Sequence, residues 1–227
     1  MIFRSARQMK TLKVLTLALC SFLLIQTGTS EAQFSQKPVP MWEGVERSAA
    51  DLENDKNFVR EAVNKAEGSR KHAVRILVNT GWRRIGEGDP NHAIRAFNQA
   101  WLVDPDEPTV FWGFAVATHM RGDKTVDVVR WFNRTRALMV ARKITDNANL
   151  EVDQGRVLES RGEDERARAF FERAIELDPK HVSAHVGMIK VARALGDAKL
   201  EEAHQQEFEK LSGNRLPEEQ IQKKTEK

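Results

Sequence analysis

The stretch GWRRIGEGDPNHAIRAFNQAWLVDPDEPTVFWGFAVATHMRGD, from Gly81 to Asp123, decides the fold of this chain. A small residue, an aromatic residue, a second small residue and a proline follow one another in it: Ala93, Phe97, Ala100 and Pro105. The same order returns 74 residues downstream in Ala167, Phe171, Ala174 and Pro179. Gly155 also stands where Gly81 stood. Such recurrence predicts an array of helical hairpins.

This pattern resembles the tetratricopeptide repeat family. The resemblance implies an all-α solenoid of antiparallel helix pairs with a concave groove, a fold that holds other molecules rather than transforming them. Glycine inside a helix costs about 1 kcal/mol relative to alanine. Gly81 therefore indicates a place where a neighbouring helix crosses with no room for a side chain.

Residues 1–32 are predicted to be a secretory signal peptide. Four basic residues precede an apolar run from Val14 to Ile25, and the small residues Ser30 and Ala32 follow it. This run is shorter than the ~20 residues that a membrane-spanning helix needs, which disfavours a retained anchor. A lipidated Cys20 is a further alternative, disfavoured because the bulky Leu19 precedes it. We therefore expect a periplasmic or secreted protein.

The charge of the chain after residue 32 argues against binding to nucleic acid. Residues 1–32 hold four basic residues and one acid, which leaves 32 basic and 32 acidic residues. The two signs are interleaved, whereas a nucleic-acid surface needs clustered positive charge. No cysteine follows residue 32, so that part of the chain forms no internal disulfide and holds no thiolate nucleophile.

The remaining sequence divides by composition and repeat pattern. Residues 33–47, with two prolines and a glycine, are predicted to form a linker or arm whose Trp42 docks on the body of the protein. A capped helical segment at 48–73 comes next. Four repeats follow, of which the last is a capping repeat: 74–107, 108–147, 148–181 and 182–211. We expect a disordered tail at 212–227 because its residues are mostly charged or polar.

The second repeat is degenerate. Val128 and Phe132 only approximate its alanine and phenylalanine positions. Two standard repeats of 34 residues would place the next copy 68 residues on, so the observed 74 requires about six extra residues. The sequence predicts them between Phe132 and Asn149.

The sequence contains no pattern typical of a catalytic or metal centre. It lacks a glycine-rich phosphate loop, a Gly-x-Ser-x-Gly elbow and a His-Glu-x-x-His motif. His181 and His185 are four residues apart, but no cysteine or suitably spaced carboxylate accompanies them, so we interpret them as surface histidines. No enzymatic activity, cofactor or metal is predicted.

The family resemblance implies a partner-binding groove on the first helix of each repeat. Its residues in this chain are Arg75, Val78, Trp82, Trp112, His119, Asn149, Arg156, Lys190 and Arg193. The groove runs from aromatic to basic. Chaperone-type relatives bind a terminal carboxylate with lysine and asparagine at the positions of Val78 and Trp82, so that particular activity is not implied.

The tryptophans of the groove have two interpretations. Trp82 and Trp112 either pack within the protein or form an exposed aromatic cluster that contacts a ligand. Trp101, in contrast, is expected in the core.

Three hypotheses for the function follow. The first is a non-enzymatic scaffold of the bacterial cell envelope that binds a protein or peptide in its concave groove. The second is an architectural subunit that joins an envelope complex through its convex face or its arm. The third, an enzyme acting on cell-wall material, lacks any residue that the sequence can name.

Overall fold

The computed structural model describes residues 37–123 and 128–221, so the predicted signal peptide lies outside the described residues. These ranges contain a short 3-10 turn at Pro40–Trp42 and helices, with no strand. The helices are α1 Ala49–Lys65, α2 Arg70–Gly86, α3 Pro90–Val103, α4 Pro108–Met120, α5 Val128–Ala141, α6 Ala148–Ser160, α7 Asp164–Leu177, α8 Val182–Leu195, α9 Ala198–Ser212 and α10 Glu218–Ile221.

Capping residues explain where helices begin. Ser48 accepts the N–H of Asp51, and the Asp51 carboxylate accepts the N–H of Ser48, which forms the capping box before α1. Asp89 accepts the N–H of His92 at the start of α3. Pro90 occupies the first position of that helix, where a missing N–H is harmless.

Helices α2 to α9 form four hairpins, and the contacts between hairpins define an inner side. The first helices α2, α4, α6 and α8 each contact the next first helix. Each of the second helices α3, α5 and α7 packs against the following first helix, but successive second helices make no comparable contact within the described ranges. The first helices therefore line the concave side, and the prediction of an all-α solenoid is confirmed.

Two phenylalanines hold neighbouring hairpins together. Phe97 of α3 lies between Gly81 of α2 and Gly113 of α4, and a Cβ at Gly81 would lie 2.5 Å from the Phe97 ring. Phe171 of α7 lies in the same way between two glycines, Gly155 of α6 and Gly187 of α8. Both rings are fully buried. Glycine is required at these four positions because the rings occupy the space of a side chain.

The second hairpin lacks such a wedge, meaning a phenylalanine ring that lies between two glycines of neighbouring first helices. When its second helix is aligned by its C-terminal end with α3 and α7, Thr135 stands at the position of Phe97 and Phe171. Thr135 is buried and its hydroxyl donates to the carbonyl of Trp131 at 2.9 Å. The sequence placed Phe132 at this position, which is three residues too early.

The extra residues of the second hairpin are divided between two places. Ten residues separate the end of α4 from Trp131, whereas six separate the end of α2 from the equivalent Ala93. Residues 142–147 supply the other two, since the corresponding link 104–107 has four residues. The prediction that all six follow Phe132 is therefore wrong for four of them.

The packing changes at the junction between α5 and α6. One hydrophobic cluster extends from α1 to α5 and reaches Leu150 and Val157 of α6, and a second cluster joins α6, α7 and α8. Polar contacts cross the junction, among them Arg136 of α5, which pairs with Glu151 of α6 at 2.7 Å. At this junction apolar contacts are thus joined by polar ones, and no phenylalanine ring lies between two glycines.

The C-terminal end is packed further than the sequence predicts. Leu216 and Ile221 are buried against Ile189 of α8, and the side-chain amide of Gln205 donates to the carbonyl of Leu216 at 2.9 Å. The expected disorder of residues 212–227 is therefore wrong for 212–221, since Ser212 ends α9 and Leu216 and Ile221 are buried. Residues 222–227 lie outside the described ranges.

The arm, residues 39–43, lies on the outer side of the array against α3. Trp42 packs against Trp101 with ring centroids 6.2 Å apart. Trp101 is only half-buried, contrary to the expectation of a core residue, because it lies under the arm and not between helices.

Candidate functional site

The inner side of the array carries a pair of tryptophans from two neighbouring first helices. Trp82 of α2 and Trp112 of α4 meet edge to face with ring centroids 4.9 Å apart. Trp82 also packs on Phe97, with centroids 5.8 Å apart. Both indoles are half-buried, so each rests on the core while part of it faces solvent. Neither of the two sequence interpretations, packing or exposure, therefore holds alone.

Asp153 of α6 extends this pair across the junction. Trp112 donates its Nε1–H to Oδ2 of Asp153 at 2.9 Å. Burial raises the pKa of the Asp153 carboxyl, while the hydrogen bond from Trp112 and the charge of Arg156 act in the opposite direction. The Arg156 guanidinium lies 3.5 Å from the carboxylate. The site therefore holds a carboxylate whose charge is only partly compensated.

Asp153 is not among the groove residues predicted from the sequence, although its position follows from the hairpin geometry. Asp153 is five residues from the start of α6, as Gly113 is in α4 and Gly187 is in α8. Those two glycines face phenylalanine rings, whereas the preceding second helix has Thr135 in place of the ring. The missing ring leaves room for a side chain at this one junction, and Asp153 points its carboxylate to Trp112.

The N-terminal end of the inner side contains a cavity of about 610 Å³ between α2 and the start of α4. The predicted groove residues Arg75 and Val78 line it, together with Lys71, Asn79 and Thr109. Val78 is buried and forms part of an apolar floor, while Arg75 is exposed. This end combines an apolar surface with the cations Lys71 and Arg75 and with the carboxylates of Glu67 and Glu107.

The middle of the inner side is more polar. Oδ1 of Asn149 lies 3.0 Å from Nε2 of His181. The Asn149 side chain therefore already has a hydrogen-bond partner within the protein. Burial lowers the pKa of His119, and the positive charge of Arg161 lowers it further. His119 is therefore a neutral imidazole at neutral pH. Arg161 lies at the C-terminal end of α6.

The C-terminal end of the predicted groove is partly closed. Arg193 donates through Nε to Glu201 of α9 at 3.0 Å and pairs with Glu218 of α10. Lys190 is half-buried. Arg193 therefore fastens the C-terminal segment to α8 and is not offered to a ligand as the repeat register implied.

Two arginines of the described ranges differ from the others in their side-chain contacts. Among residues 37–123 and 128–221, only Arg75 and Arg161 have a side chain that makes neither a hydrogen bond nor an ion pair. Arg75 lies at one end of the inner side and Arg161 beside its middle. The ion pair between Arg156 and Asp153 is long, with 3.5 Å between Nη1 and Oδ1. Positive charge is thus available along the same side as the two indoles.

Two further properties bear on the kind of site. The described ranges contain no group of three or more histidine, cysteine, aspartate or glutamate side chains placed to hold a metal. Within those same ranges, no helix has both the length and the apolar character to cross a membrane.

Comparisons with known proteins place the fold. No protein-family model and no curated protein matches the sequence. A crystal structure of MamA is similar with a TM-score of 0.52 and 16% identity, covering 74% of this chain and 97% of that chain. A crystal structure of PilW, described as a widely conserved type IV pilus biogenesis factor, is similar with a TM-score of 0.57 and 12% identity, covering 75% of this chain and 74% of that chain. Both are tetratricopeptide repeat proteins, and at this identity the likeness shows that the present chain has their fold.

Proposed function

We propose that this protein is a non-enzymatic scaffold that binds a protein or peptide partner on its concave side. The observation that carries the proposal is the pair of half-buried indoles, Trp82 and Trp112, on that side. Partly exposed aromatic clusters fixed on a rigid base are typical anchors of protein interfaces. The tetratricopeptide fold supports this proposal because such arrays present extended concave binding surfaces.

The charges of the inner side favour a particular kind of partner. Arg75 and Arg161 form no ion pair within the described residues, and Val78 and the two indoles offer apolar surface between them. A fitting partner is an extended segment that places an apolar side chain on the indoles and acidic side chains beside these arginines. No cofactor or nucleic acid is required for this mode of binding.

We also propose that the protein is exported. The composition of residues 1–32 favours export and cleavage before Gln33, which would place the scaffold in the periplasm or outside the cell. Intact-mass measurement of the exported protein tests this. A mass corresponding to a chain that begins at Gln33 agrees with the proposal, whereas a species that retains Met1 or carries lipid on Cys20 contradicts it.

The concave site is tested by capturing partners from an envelope extract with matched tryptophan variants. Trp112→Ala removes an inner indole, and Trp101→Ala removes an indole of similar exposure on the outer side. We expect a partner that is recovered with the parent and with Trp101→Ala but lost with Trp112→Ala. The reverse pattern would favour the second hypothesis, an architectural subunit that joins a complex through its outer side.

A further inference from the structure

The outer side of the array carries a channel that holds the arm as a bound peptide would be held. The outer channel is formed by Asn98 and Trp101 of α3, Phe111 of α4, and Arg130 and Trp131 of α5. It exists because α3 and α5 are successive second helices, which make no close contact with each other. The arm, residues 39–43, fills part of this gap.

Asn98 contacts the main chain of the arm. Its side-chain Nδ2 donates to the carbonyl of Val39 at 2.9 Å, and its Oδ1 accepts the N–H of Met41 at 2.7 Å. Asn98 is buried, and within the described residues these two groups of the arm satisfy its amide. A buried amide that pairs with both a carbonyl and an N–H of a segment outside the α-helices makes the kind of contact by which proteins bind a peptide main chain.

Side chains of the arm are recognised as well. Trp42 packs on Trp101, and the carboxylate of Glu43 receives two hydrogen bonds from Arg130, at 3.1 and 2.7 Å. The Arg130 guanidinium also stacks on Trp131 at 4.6 Å from the ring centroid. The channel therefore contacts an aromatic side chain and the acid that follows it, in addition to the main chain.

The arm is held in a conformation that it would not adopt by itself. Met41 and Trp42 have φ values of +51° and +52°, a left-handed region that side chains other than glycine rarely occupy. The contacts with the outer channel maintain this strain, which lowers the cost of releasing the arm. Gly44, with φ of +74° and open space around it, lies directly after the arm and provides a pivot.

The arm does not complete the channel. A cavity of about 450 Å³ remains beside it, lined by Met41 and Glu43 of the arm and by the aromatic residues of the channel. The Arg47 guanidinium lies 4.2 Å from the centroid of the Trp42 ring, and Arg47 pairs with Asp55 of α1. The arm is therefore held by Asn98, Trp101 and Arg130, while space remains beside it.

We propose that the outer channel also takes the arm of a second copy of this chain, so that exchanged arms join two molecules. A second copy is the occupant because its arm carries the same main-chain, aromatic and acidic groups that the channel already binds. Exchange of an identical segment between protomers replaces each internal contact with the same contact from the partner, which makes it a low-cost route to a dimer.

The test uses a charge exchange between Glu43 and Arg130 in the full chain. In Glu43→Arg and in Arg130→Glu, each chain by itself faces its own arm with a like charge. In an equimolar mixture, both exchanged contacts become complementary. We expect native mass spectrometry of the mixture to show a 1:1 heterodimer at least fivefold more abundant than either homodimer, while the double variant Glu43→Arg/Arg130→Glu behaves as the parent.

Arg168→Glu provides the control, because Arg168 of α7 pairs with Glu172 at 2.8 Å and does not line the cavity beside the arm. Mixed with Glu43→Arg, it should give no heterodimer enrichment. Adding Asn98→Ala to both members of the active pair should abolish the heterodimer. Equal heterodimer signals in the active and control mixtures would overturn the proposal. So would a labelled peptide of residues 37–47 that binds the Glu43→Arg chain while no heterodimer forms, since the channel would then serve another protein.

Discussion

The ring of Phe97 occupies the place of a side chain at Gly113: a Cβ built on this glycine would lie 2.2 Å from Cζ of Phe97. Gly113 is on the first helix of the following hairpin, so the contact joins two hairpins and not two helices of one hairpin. Phe171 and Gly187 repeat the relationship two hairpins later, with a Cβ to ring-atom distance of 2.4 Å. These two contacts fix the spacing of the first helices, and with it the position of the inner indoles.

Replacing Gly113 with alanine should destabilise the protein, because the added methyl group overlaps a fully buried ring that cannot move freely. We expect a loss of about 1–3 kcal/mol in the free energy of unfolding, as for other overpacked cores. Urea unfolding followed by circular dichroism measures it. The control is Gly86→Ala at the end of α2, where nothing lies within 4 Å of the added Cβ. It should be neutral or stabilise by up to about 1 kcal/mol. Equal changes in the free energy of unfolding for the two substitutions would contradict the close packing of Phe97 on Gly113.

Adjacent phenylalanines in α7 provide a second test. Phe171→Ala should cost about 3–5 kcal/mol because it removes a fully buried ring and leaves a cavity between two hairpins. Phe170→Ala should cost clearly less, since this ring is half-buried and contacts the Arg136 guanidinium at 5.3 Å. Chemical unfolding of both variants compares them directly. If Phe170→Ala proved as damaging as Phe171→Ala, the assignment of the wedge residue would be wrong.

The regular hairpins could be predicted from the sequence, and the irregular one could not. Gly81, Phe97 and Phe171 follow a fixed spacing, so their roles are visible in the chain itself. Thr135 breaks that spacing, and four of the extra residues come before it, which shifted the sequence-based alignment by three residues. Without the correct alignment of this hairpin, nothing indicated that the position equivalent to Gly113 holds an aspartate next to Trp112.

The outer side was also only partly predictable. The docking of Trp42 on the body of the protein was expected from an aromatic residue in a proline-containing arm, and the structure places it on Trp101. The pairing of Asn98 with the arm depends on residues almost 60 positions apart and has no local sequence pattern. The buried Leu216 and Ile221 were missed because they are two apolar residues in a mostly charged segment.

The protonation of Asp153 should make stability depend on pH in a definite direction. Burial raises its pKa above the ordinary value of about 3.9, so the folded state favours the neutral acid. As the pH rises from about 4, ionisation of Asp153 costs folding stability until the pH exceeds the raised pKa. Asp153→Asn keeps an oxygen for Trp112 Nε1 and has no charge. Its stability relative to the parent should therefore increase with pH over this range, as measured by urea unfolding at a series of pH values.

Asp89→Asn supplies a control of opposite sign. The hydrogen bond from the backbone N–H of His92 lowers the pKa of Asp89. The ionised form of Asp89 therefore favours folding, and this advantage is lost as the pH falls through the lowered pKa. Relative to the parent, Asp89→Asn should lose stability as the pH rises. Parallel curves for Asp153→Asn and the parent would show that Asp153 is not the desolvated carboxylate described here.

Arg75 should govern how fast an acidic partner associates. Its exposed guanidinium has no internal ion pair, so Arg75→Glu should slow association and weaken the dependence of the association rate on salt. Stopped-flow or surface binding kinetics at two ionic strengths would measure both effects. Arg83→Glu on the same helix is the control, because Arg83 pairs with Glu87 at 2.9 Å. If both reversals changed the rate equally, total charge rather than the inner side would control association.

The most direct test of the concave site is the affinity of Trp112→Ala for a partner captured with the parent protein, measured together with its free energy of unfolding. Removal of an aromatic anchor from the centre of an interface commonly costs about 2 kcal/mol, which corresponds to an affinity about thirtyfold weaker. Because the Trp112 ring is only half-buried, we expect its loss to destabilise the fold less than Phe97→Ala does. A thirtyfold loss of affinity in a stably folded variant is the predicted result. The contradictory result is a variant that is destabilised as strongly as Phe97→Ala while its folded fraction binds the partner as tightly as the parent does.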